Sequence, residues 1–381
     1  MKLAIVCRAA AALLTATLLL SGCSAIDFYW QGVSGQMSLI AGARPITDVL
    51  ETTNDPLLKT RLTQVQAIRA FASRELGLPD NRSYTRYTDL GRQFVVWNVV
   101  ATPELSLTPR QWCYAIVGCV SYRGYFNEDD ARHESERLVA RGDDVHLGGV
   151  PAYSTLGWFD DPVLSTFVRY RETELARLMF HELAHQVIYV KDDTAFNESF
   201  AVSVEEEGMR RWLAAQAGRK DASQLGEDVA RTRRLRADFR SMVRATRDRL
   251  RALYASTVPA AEKRAGKAAA FADMRAQYEH LKSGWGGLAA YDRWIATGAN
   301  NAGIAGVGLY ADHVPEFAAL IAANHHDLPR FFEDVKMLAG LPKTERDARL
   351  AALIRPAAVA GNTLASPALL STSSSAGTPA P

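Results

Sequence analysis

The sequence predicts an α+β fold that is mostly helical, with a β-rich region in the first half of the chain. From about 24 to 80, apolar residues recur at helical spacing, as at Leu58 and Leu62. From 84 to 160, short runs rich in Val, Tyr and Trp alternate with Pro, Gly and Asp turns, which is typical of strands. From 165 to 355 the helical spacing returns. We therefore expect a β-rich region packed against a largely helical part.

The composition is that of an ordinary globular protein. The chain has 381 residues, of which 48% are hydrophobic and 23% charged, and its formal net charge is +2. This length gives room for one large domain or two closely associated ones. Because there is no large excess of positive charge, we expect no nucleic-acid partner. Composition leaves the oligomeric state open.

A targeting signal is predicted at the start of the chain. Residues 1–22 combine basic residues with an apolar run at 9–20 that is too short for an ordinary spanning helix. The segment Leu20-Ser21-Gly22-Cys23 resembles the bacterial lipobox, in which the cysteine thiol receives diacylglycerol. The alternative is a plain cleaved signal that happens to contain a cysteine. Because Ser24 and not aspartate follows Cys23, the sorting pattern implies an outer-membrane anchor facing the periplasm.

The cysteines fit export from the cytoplasm. Of the four, Cys7 lies in the signal and Cys23 would carry lipid, which leaves Cys113 and Cys119. In an oxidising compartment these two are candidates for a disulfide that closes a short loop. The alternative is a pair of small apolar residues in a buried strand.

Two further segments differ from the rest in composition. A long arginine-rich helix is predicted from about Leu225 to Tyr254. Its arginines form either a solvated face opposite a buried stripe or a patch for a polyanion or membrane surface. Residues 356–381 are dominated by Ala, Ser, Thr, Gly and Pro, so we expect a disordered tail. Residues 23–355 are then expected to form the functional region.

The strongest chemical signal is the segment His181-Glu182-Leu183-Ala184-His185. Residues four apart lie on one face of a helix, so His181 and His185 can direct two imidazole nitrogens at one metal ion. Glu182 then lies beside a metal-bound water without binding the metal itself. Zinc lowers the pKa of such a water to about 7, and the carboxylate takes its proton. The segment predicts metal-assisted hydrolysis; the alternative is two helix histidines that satisfy hydrogen bonds in a core.

A third ligand is predicted at Glu198, in the segment Asn197-Glu198-Ser199-Phe200-Ala201. A carboxylate at the start of a following helix can approach the histidine pair, and a catalytic zinc needs a third protein ligand. Ala201 gives a small side chain on the same face, which permits close packing of the two helices. Competing candidates are Asp192, Asp193 and Glu205.

These two segments resemble the gluzincin pattern of thermolysin-like peptidases and zinc aminopeptidases, although the interval between them is shorter than in thermolysin. Val117-Gly118-Cys119-Val120-Ser121-Tyr122-Arg123-Gly124-Tyr125-Phe126 and the stretch from Gly148 to Pro162 resemble a family of bacterial predicted aminopeptidases. This resemblance runs from about residue 25 to 350.

The resemblance implies a gluzincin-like zinc peptidase, with the β-rich region on the substrate side of the helical metal-binding part. It implies one zinc ion, with Glu182 as general base, and peptide substrates. We expect an aminopeptidase, with an endopeptidase of the same mechanism as the alternative. A non-catalytic, zinc-containing envelope lipoprotein that binds peptidoglycan or a protein is the alternative from another class.

Other residues are candidates for supporting roles. Tyr310 and His313 could stabilise an oxyanion, because related enzymes use Tyr or His from a later segment. The stretch 152–159 is either a substrate-pairing edge strand or a structural turn. The carboxylates of Glu205–Glu207 would either capture a substrate α-amine or form a solvated helix face.

Overall fold

The computed structural model describes residues 28–114, 118–308 and 313–354, most of them helical. The helices are α1 (28–41), α2 (Ile46–Thr52), α3 (Pro56–Leu76), α4 (Glu128–Val139), α5 (Glu172–Ala184), α6 (Thr194–Ala215), α7 (Ala222–Ala255), α8 (Ala260–Gly284), α9 (Asp292–Gly298), α10 (Asn301–Gly308), α11 (Val314–Ala323), α12 (Leu328–Ala339) and α13 (Lys343–Ala352). The strands are β1 (Arg44–Pro45), β2 (Arg86–Thr88), β3 (Val96–Pro103), β4 (Trp112–Tyr114), β5 (Gly118–Val120), β6 (Arg123–Tyr125), β7 (Asp143–Val150) and β8 (Val163–Leu164). The prediction of a mostly helical α+β chain is confirmed.

The strands form small sheets. β3 lies between β6 and β7 and is antiparallel to both, with Trp97 opposite Tyr125 on one side and Gly149 on the other. β2 lies between antiparallel β1 and parallel β8. β4 and β5 form a hairpin in which Cys113 is opposite Cys119.

The main hydrophobic core lies between α3, α5, α6, α11 and α12. Phe200 of α6 stacks on Phe331 of α12, with ring centroids 5.9 Å apart. Gly208 of α6 permits close packing against α5 and α3, because a Cβ there would lie 2.8 Å from the side chain of Phe180 and 2.9 Å from that of Leu76. Close packing of α5 on α6 sets the distance between the two segments that carry the predicted metal ligands.

A second core joins α7, α8 and α9 to α10. Phe239, Met242 and Leu250 line the buried side of α7, and Thr246 donates a hydrogen bond to the carbonyl oxygen of Met242. The predicted buried stripe of the arginine-rich helix is therefore observed, over Ala222–Ala255.

Some predicted boundaries are wrong. The β-rich region contains a 12-residue helix, α4, whose N-cap Asn127 accepts hydrogen bonds from two backbone amides. The helix of the histidine segment ends at Ala184, so the apolar spacing that continues in the sequence to Val187 and Ile188 extends beyond the helix. The following helix begins at Thr194, three residues before the predicted start at Asn197.

The predicted signal at 1–22, the lipidation site Cys23 and the predicted tail at 356–381 lie outside the described residues. Within the described ranges, no helix combines the length and the apolar character needed to cross a bilayer.

Candidate metal centre

The two histidines converge at the end of α5. His181 lies in the last turn, and His185 is the C-cap residue, with φ −59° and ψ −22°. These angles extend the helical backbone by one residue, so both rings keep the same face. Their Nε2 atoms are 3.3 Å apart.

Glu198 of α6 completes a group of three donor atoms. Its Oε2 lies 3.4 Å from Nε2 of His181 and 3.8 Å from Nε2 of His185. A point about 2 Å from all three atoms lies inside this triangle, and zinc bonds to nitrogen and carboxylate oxygen are about 2.0–2.2 Å. The spacing of the donors therefore fits one metal ion.

The three side chains are shielded from water. Their exposed fractions are 15% for His181, 10% for His185 and 14% for Glu198. The Oε2 atom of Glu198 is buried and has no hydrogen-bond partner in the described residues. An unpaired buried carboxylate oxygen is costly, and a cation between the donors would satisfy it.

Glu205 lies behind His181, on the side away from the other donors. Its Oε2 is 3.2 Å from Nδ1 of His181, and its Oε1 accepts hydrogen bonds from Arg177 and, at 3.0 Å, from Arg236. Burial raises the pKa of Glu205, but the hydrogen bond with His181 and the arginine charges outweigh burial and lower the pKa to about 2. A carboxylate that stays ionised holds the proton on Nδ1 and directs Nε2 toward a metal.

The electrostatics of the site favour a cation. Burial lowers the pKa of His181, but the neighbouring carboxylates of Glu198 and Glu205 outweigh burial and raise the pKa well above 6.5. Burial lowers the pKa of His185 to about 4, against the opposing charge of Glu198. One positive charge is therefore favoured among these donors, and a metal ion would supply it.

Glu182 directly follows His181 in the chain, and its carboxylate is unpaired among the described residues. It makes no hydrogen bond or ion pair with the described part of the chain. Burial raises its pKa to about 7, and the charge of His181 opposes this effect. A carboxylate with a pKa near neutrality is suited to accept and return a proton.

The competing ligands are engaged elsewhere. Asp193 is the N-cap of α6 and pairs with Lys343 and Arg346. Asp192 accepts a hydrogen bond from the backbone amide of Cys119. Neither carboxylate, nor that of Glu205, joins the group around Nε2 of His181.

Asn197, the residue before Glu198, ties the loop after α5 to α6. Its side chain accepts a hydrogen bond from the amide of Val190 and donates one to the carbonyl oxygen of Val190, both at 2.8 Å. Asn197 is buried, so these bonds are shielded from water. The sequence prediction used Glu198 and Ala201 of this segment, and the role of the asparagine was missed.

The β4–β5 hairpin packs on the same loop. Cys113 and Cys119 are joined by a disulfide in the structure. Gly118 has φ +77°, and a Cβ at this position would lie 2.3 Å from Oδ1 of Asp192. Only glycine allows this approach of the hairpin to the loop between α5 and α6.

Two tyrosines near the site were not predicted. Burial raises the pKa of Tyr122 well above 10, and the charges of Glu198 and Glu182 add to this effect. Burial and the charge of Glu182 likewise raise the pKa of Tyr84. The Tyr84 hydroxyl has no hydrogen-bond partner in the described residues. Both phenols stay protonated and can act as donors; they come from distant segments, so no local pattern could have revealed them.

The stretch 152–159 contains a turn in its second half. The amide of Trp158 donates to the carbonyl oxygen of Thr155 at 3.1 Å. The Asp161 carboxylate accepts hydrogen bonds from the amide and hydroxyl of Thr155, at 2.9 and 2.7 Å. These bonds favour the structural-turn alternative, and pairing of this stretch with a substrate stays a prediction.

The solvated helix face predicted for Glu205–Glu207 is wrong. Glu205 and Glu207 are buried, and Glu206 pairs with Arg177 and Arg233. Arginines of α5, α6 and α7 pair with these three carboxylates. In the described structure the carboxylates are therefore not free to bind the α-amine of a substrate. The arginine-rich face of α7 is correspondingly not fully solvated.

Of the two predicted oxyanion donors, one lies within the described residues. Tyr310 lies outside the described residues. The backbone amide of His313 donates to the hydroxyl of Ser199 at 3.1 Å. No hydrogen bond or ion pair of its ring with the metal-binding group is found in the described ranges, so the role of His313 stays a prediction.

Fold and site together define a protein with a shielded His–His–Glu group on two packed helices, compatible with a bound metal ion. Residues 27–350 match a family model described as "putative aminopeptidase", so the chain belongs to this family. Membership supports a peptidase-like function in general. Neither a curated protein nor a solved structure matches the chain.

Proposed function

We propose that this protein is a zinc-dependent peptidase of the gluzincin type. The observation that carries the proposal is the convergence of His181, His185 and Glu198 beside an uncommitted carboxylate, Glu182. Two nitrogens, one carboxylate oxygen and an open fourth position are the donor set of a catalytic zinc site. Bound there, zinc would activate a water molecule and polarise the scissile carbonyl.

The side chains divide the remaining work. Glu182 takes a proton from the attacking water and passes it to the leaving nitrogen. Glu205 holds the proton on Nδ1 of His181, which fixes the orientation of that ring. Tyr122, protonated and close to Glu198, is a candidate donor to the developing oxyanion.

An aminopeptidase is the leading interpretation of specificity, and it is supported by the family description. An endopeptidase of the same mechanism is the alternative, because the carboxylates of Glu205–Glu207 are paired with arginines and not free for an α-amine. A non-catalytic zinc lipoprotein that binds peptidoglycan or a protein is a third candidate, and it gives Glu182 no role.

The site is proposed to work in the cell envelope. Lipidation of Cys23 would anchor the chain to the outer membrane, with the domain facing the periplasm. The disulfide between Cys113 and Cys119 supports an oxidising compartment.

Hydrolysis by the Glu182→Gln variant tests the proposal. Purified wild type and variant are compared for zinc content and for cleavage of aminoacyl and N-terminally blocked peptides. Glu51→Gln, an exposed change on α2, is the matched control. Retained zinc with hydrolysis reduced by at least about 100-fold supports the general-base role. Equal hydrolysis by all three proteins would refute it, and preference between the two substrates separates aminopeptidase from endopeptidase.

A further inference from the structure

Large apolar side chains are exposed along one face of α1. The exposed fractions are 52% for Tyr29, 71% for Trp30, 57% for Val33 and 53% for Met37. Their spacing places them on a single stripe along the helix. We call these four residues the α1 stripe.

The α1 stripe differs from the other exposed apolar residues of the helices. Leu57, Val139 and Met337 are also exposed, but each lies on a different element. Scattered single residues of this kind are normal on protein surfaces, whereas a contiguous group marks an interaction surface.

The inner face of α1 holds the helix in place. Arg123 lies over the ring of Phe28, 4.1 Å from its centroid. The side chain of Gln31 accepts a hydrogen bond from the amide of Phe126 at 2.9 Å. Leu39 is 2% exposed and packs in the main core. The stripe is therefore presented outward by a helix that is fixed to the domain.

The helix carries no charge. Residues 28–41 contain no Asp, Glu, Lys or Arg. The other exposed positions of the helix are small and neutral, as at Ser34 and Ser38. A neutral face with Tyr and Trp at one end resembles the aromatic belts found at membrane interfaces.

We propose that the α1 stripe rests in the interface of the lipid bilayer to which Cys23 is anchored, and so orients the domain on the membrane. This inference rests on the proposed lipid anchor. Cys23 lies five positions before Phe28, so the helix starts within about 17 Å of the lipidated residue. An apolar helix face held this close to a bilayer gains stability by insertion at the headgroup level.

A second copy of the chain fits the stripe less well. A standard protein interface uses about 20–30 residues on each side. The stripe offers four large apolar residues on one helix, an extent that suits insertion into an interface better than a stable dimer. Self-association through the stripe is nevertheless an outcome that the test can detect.

Fluorescence quenching by lipids tests the contact directly. The full chain is produced with its own signal, purified and reconstituted into phosphatidylethanolamine and phosphatidylglycerol vesicles with brominated acyl chains. Trp30→Phe is compared with Trp158→Phe, because both tryptophans are 71% exposed. The proposal expects Trp30→Phe to lose the larger part of the bromine quenching and Trp158→Phe to retain it. Equal quenching of both variants, or no quenching in wild type, would overturn it.

A triple variant tests the rest of the stripe. Tyr29→Ser, Val33→Ser and Met37→Ser together should reduce the quenching of Trp30, whereas Leu57→Ser, Val139→Ser and Met337→Ser together should leave it unchanged. Thermal melts followed by circular dichroism verify that both triple variants fold. If the stripe variant instead dissociates an oligomer and Trp30 is unquenched, the surface is a contact between copies and the proposal is wrong.

Separate measurements distinguish this inference from the proposals on which it builds. Mass spectrometry of the N-terminal peptide reports lipidation of Cys23, and peptide hydrolysis reports the metal site. Lipidated, active protein with an unquenched Trp30 overturns only the membrane contact. Quenching of Trp30 in protein that lacks the lipid supports the contact and refutes the anchor.

Discussion

The carboxylate of Glu205 lies 3.2 Å from Nδ1 of His181, while Nε2 of the same ring faces Glu198 at 3.4 Å. One imidazole is thus held between two carboxylates from the same helix, seven residues apart. The Glu205 carboxylate orients the ring through Nδ1, and the Glu198 carboxylate lies on the Nε2 side, where the proposed metal ion would bind.

Replacement of Glu205 should weaken metal binding. In Glu205→Gln the Nδ1 proton of His181 loses an ionised acceptor, and changes of this kind cost about 10–100-fold in metal affinity. Zinc affinity measured by chelator competition checks the effect. The control is Glu206→Gln, which pairs with Arg177 and Arg233 but not with His181. Similar losses in both variants would show that the effect is only one of net charge.

Removal of the Asn197 side chain should affect both stability and metal binding. Asn197→Ala removes both hydrogen bonds between the Asn197 side chain and the partly buried backbone of Val190, at a cost of about 1–3 kcal/mol. The loop that joins the ligands loosens as a result. Asn127→Ala, which removes the N-cap of α4, should cost about 1 kcal/mol and leave zinc affinity unchanged. Denaturant unfolding measures the stability, and chelator competition measures the zinc affinity. Unchanged zinc affinity in Asn197→Ala would show that the hydrogen bonds between Asn197 and Val190 do not support the metal site.

Glu207 should contribute to stability in a pH-dependent way. Burial raises its pKa, but hydrogen bonds from Arg210, Arg211 and His326 outweigh burial and lower the pKa from 4.5 to about 2. When the pKa of a carboxyl group is lower in the folded than in the unfolded state, the group stabilises the fold at pH values above its unfolded-state pKa. The contribution of Glu207 is therefore complete above about pH 5 and is lost as the pH falls toward 2.

Unfolding free energies at several pH values check this expectation. The difference between wild type and Glu207→Gln should shrink as the pH falls from about 5 to 2. Glu136→Gln, an exposed change on α4, is the control and should show little difference at any pH. A Glu207→Gln difference that is constant with pH would contradict the ion-pair account.

The disulfide between Cys113 and Cys119 should stabilise the fold, including the β4–β5 hairpin that contacts the loop between α5 and α6. Closing a loop of this length contributes about 2 kcal/mol by the chain-entropy argument. The double change Cys113→Ser and Cys119→Ser should lower the free energy of unfolding by about this amount. Reductant should do the same to wild type and have no effect on the double variant. Equal unfolding midpoints of wild type with and without reductant would count against a structural disulfide.

The sequence predicted the group of His181, His185 and Glu198: helical spacing placed the histidines on one face, and Glu198 was expected at the start of the following helix. It also supported the mostly helical α+β class. The helix α4 was missed although Asn127, followed by acidic residues, is a recognisable helix start.

The surroundings of the site were not predictable in the same way. Glu205 was considered as a ligand, because it is two turns from Glu198 on the same face. Its actual partner, Nδ1 of His181, depends on the packing of α5 against α6, to which Gly208 contributes by leaving room for Phe180. Tyr84 and Tyr122 approach the site from other segments, and no periodicity within those segments encodes that approach.

Metal analysis of wild type and Glu198→Gln tests whether His181, His185 and Glu198 together hold a zinc ion. We expect one zinc per chain in wild type, with X-ray absorption showing only nitrogen and oxygen ligands at about 2.0–2.2 Å. We expect Glu198→Gln to lose zinc and peptide hydrolysis together, while Asp192→Asn, in the adjoining loop, keeps both. Full zinc content and full hydrolysis in Glu198→Gln would show that this site is not the zinc site of a peptidase.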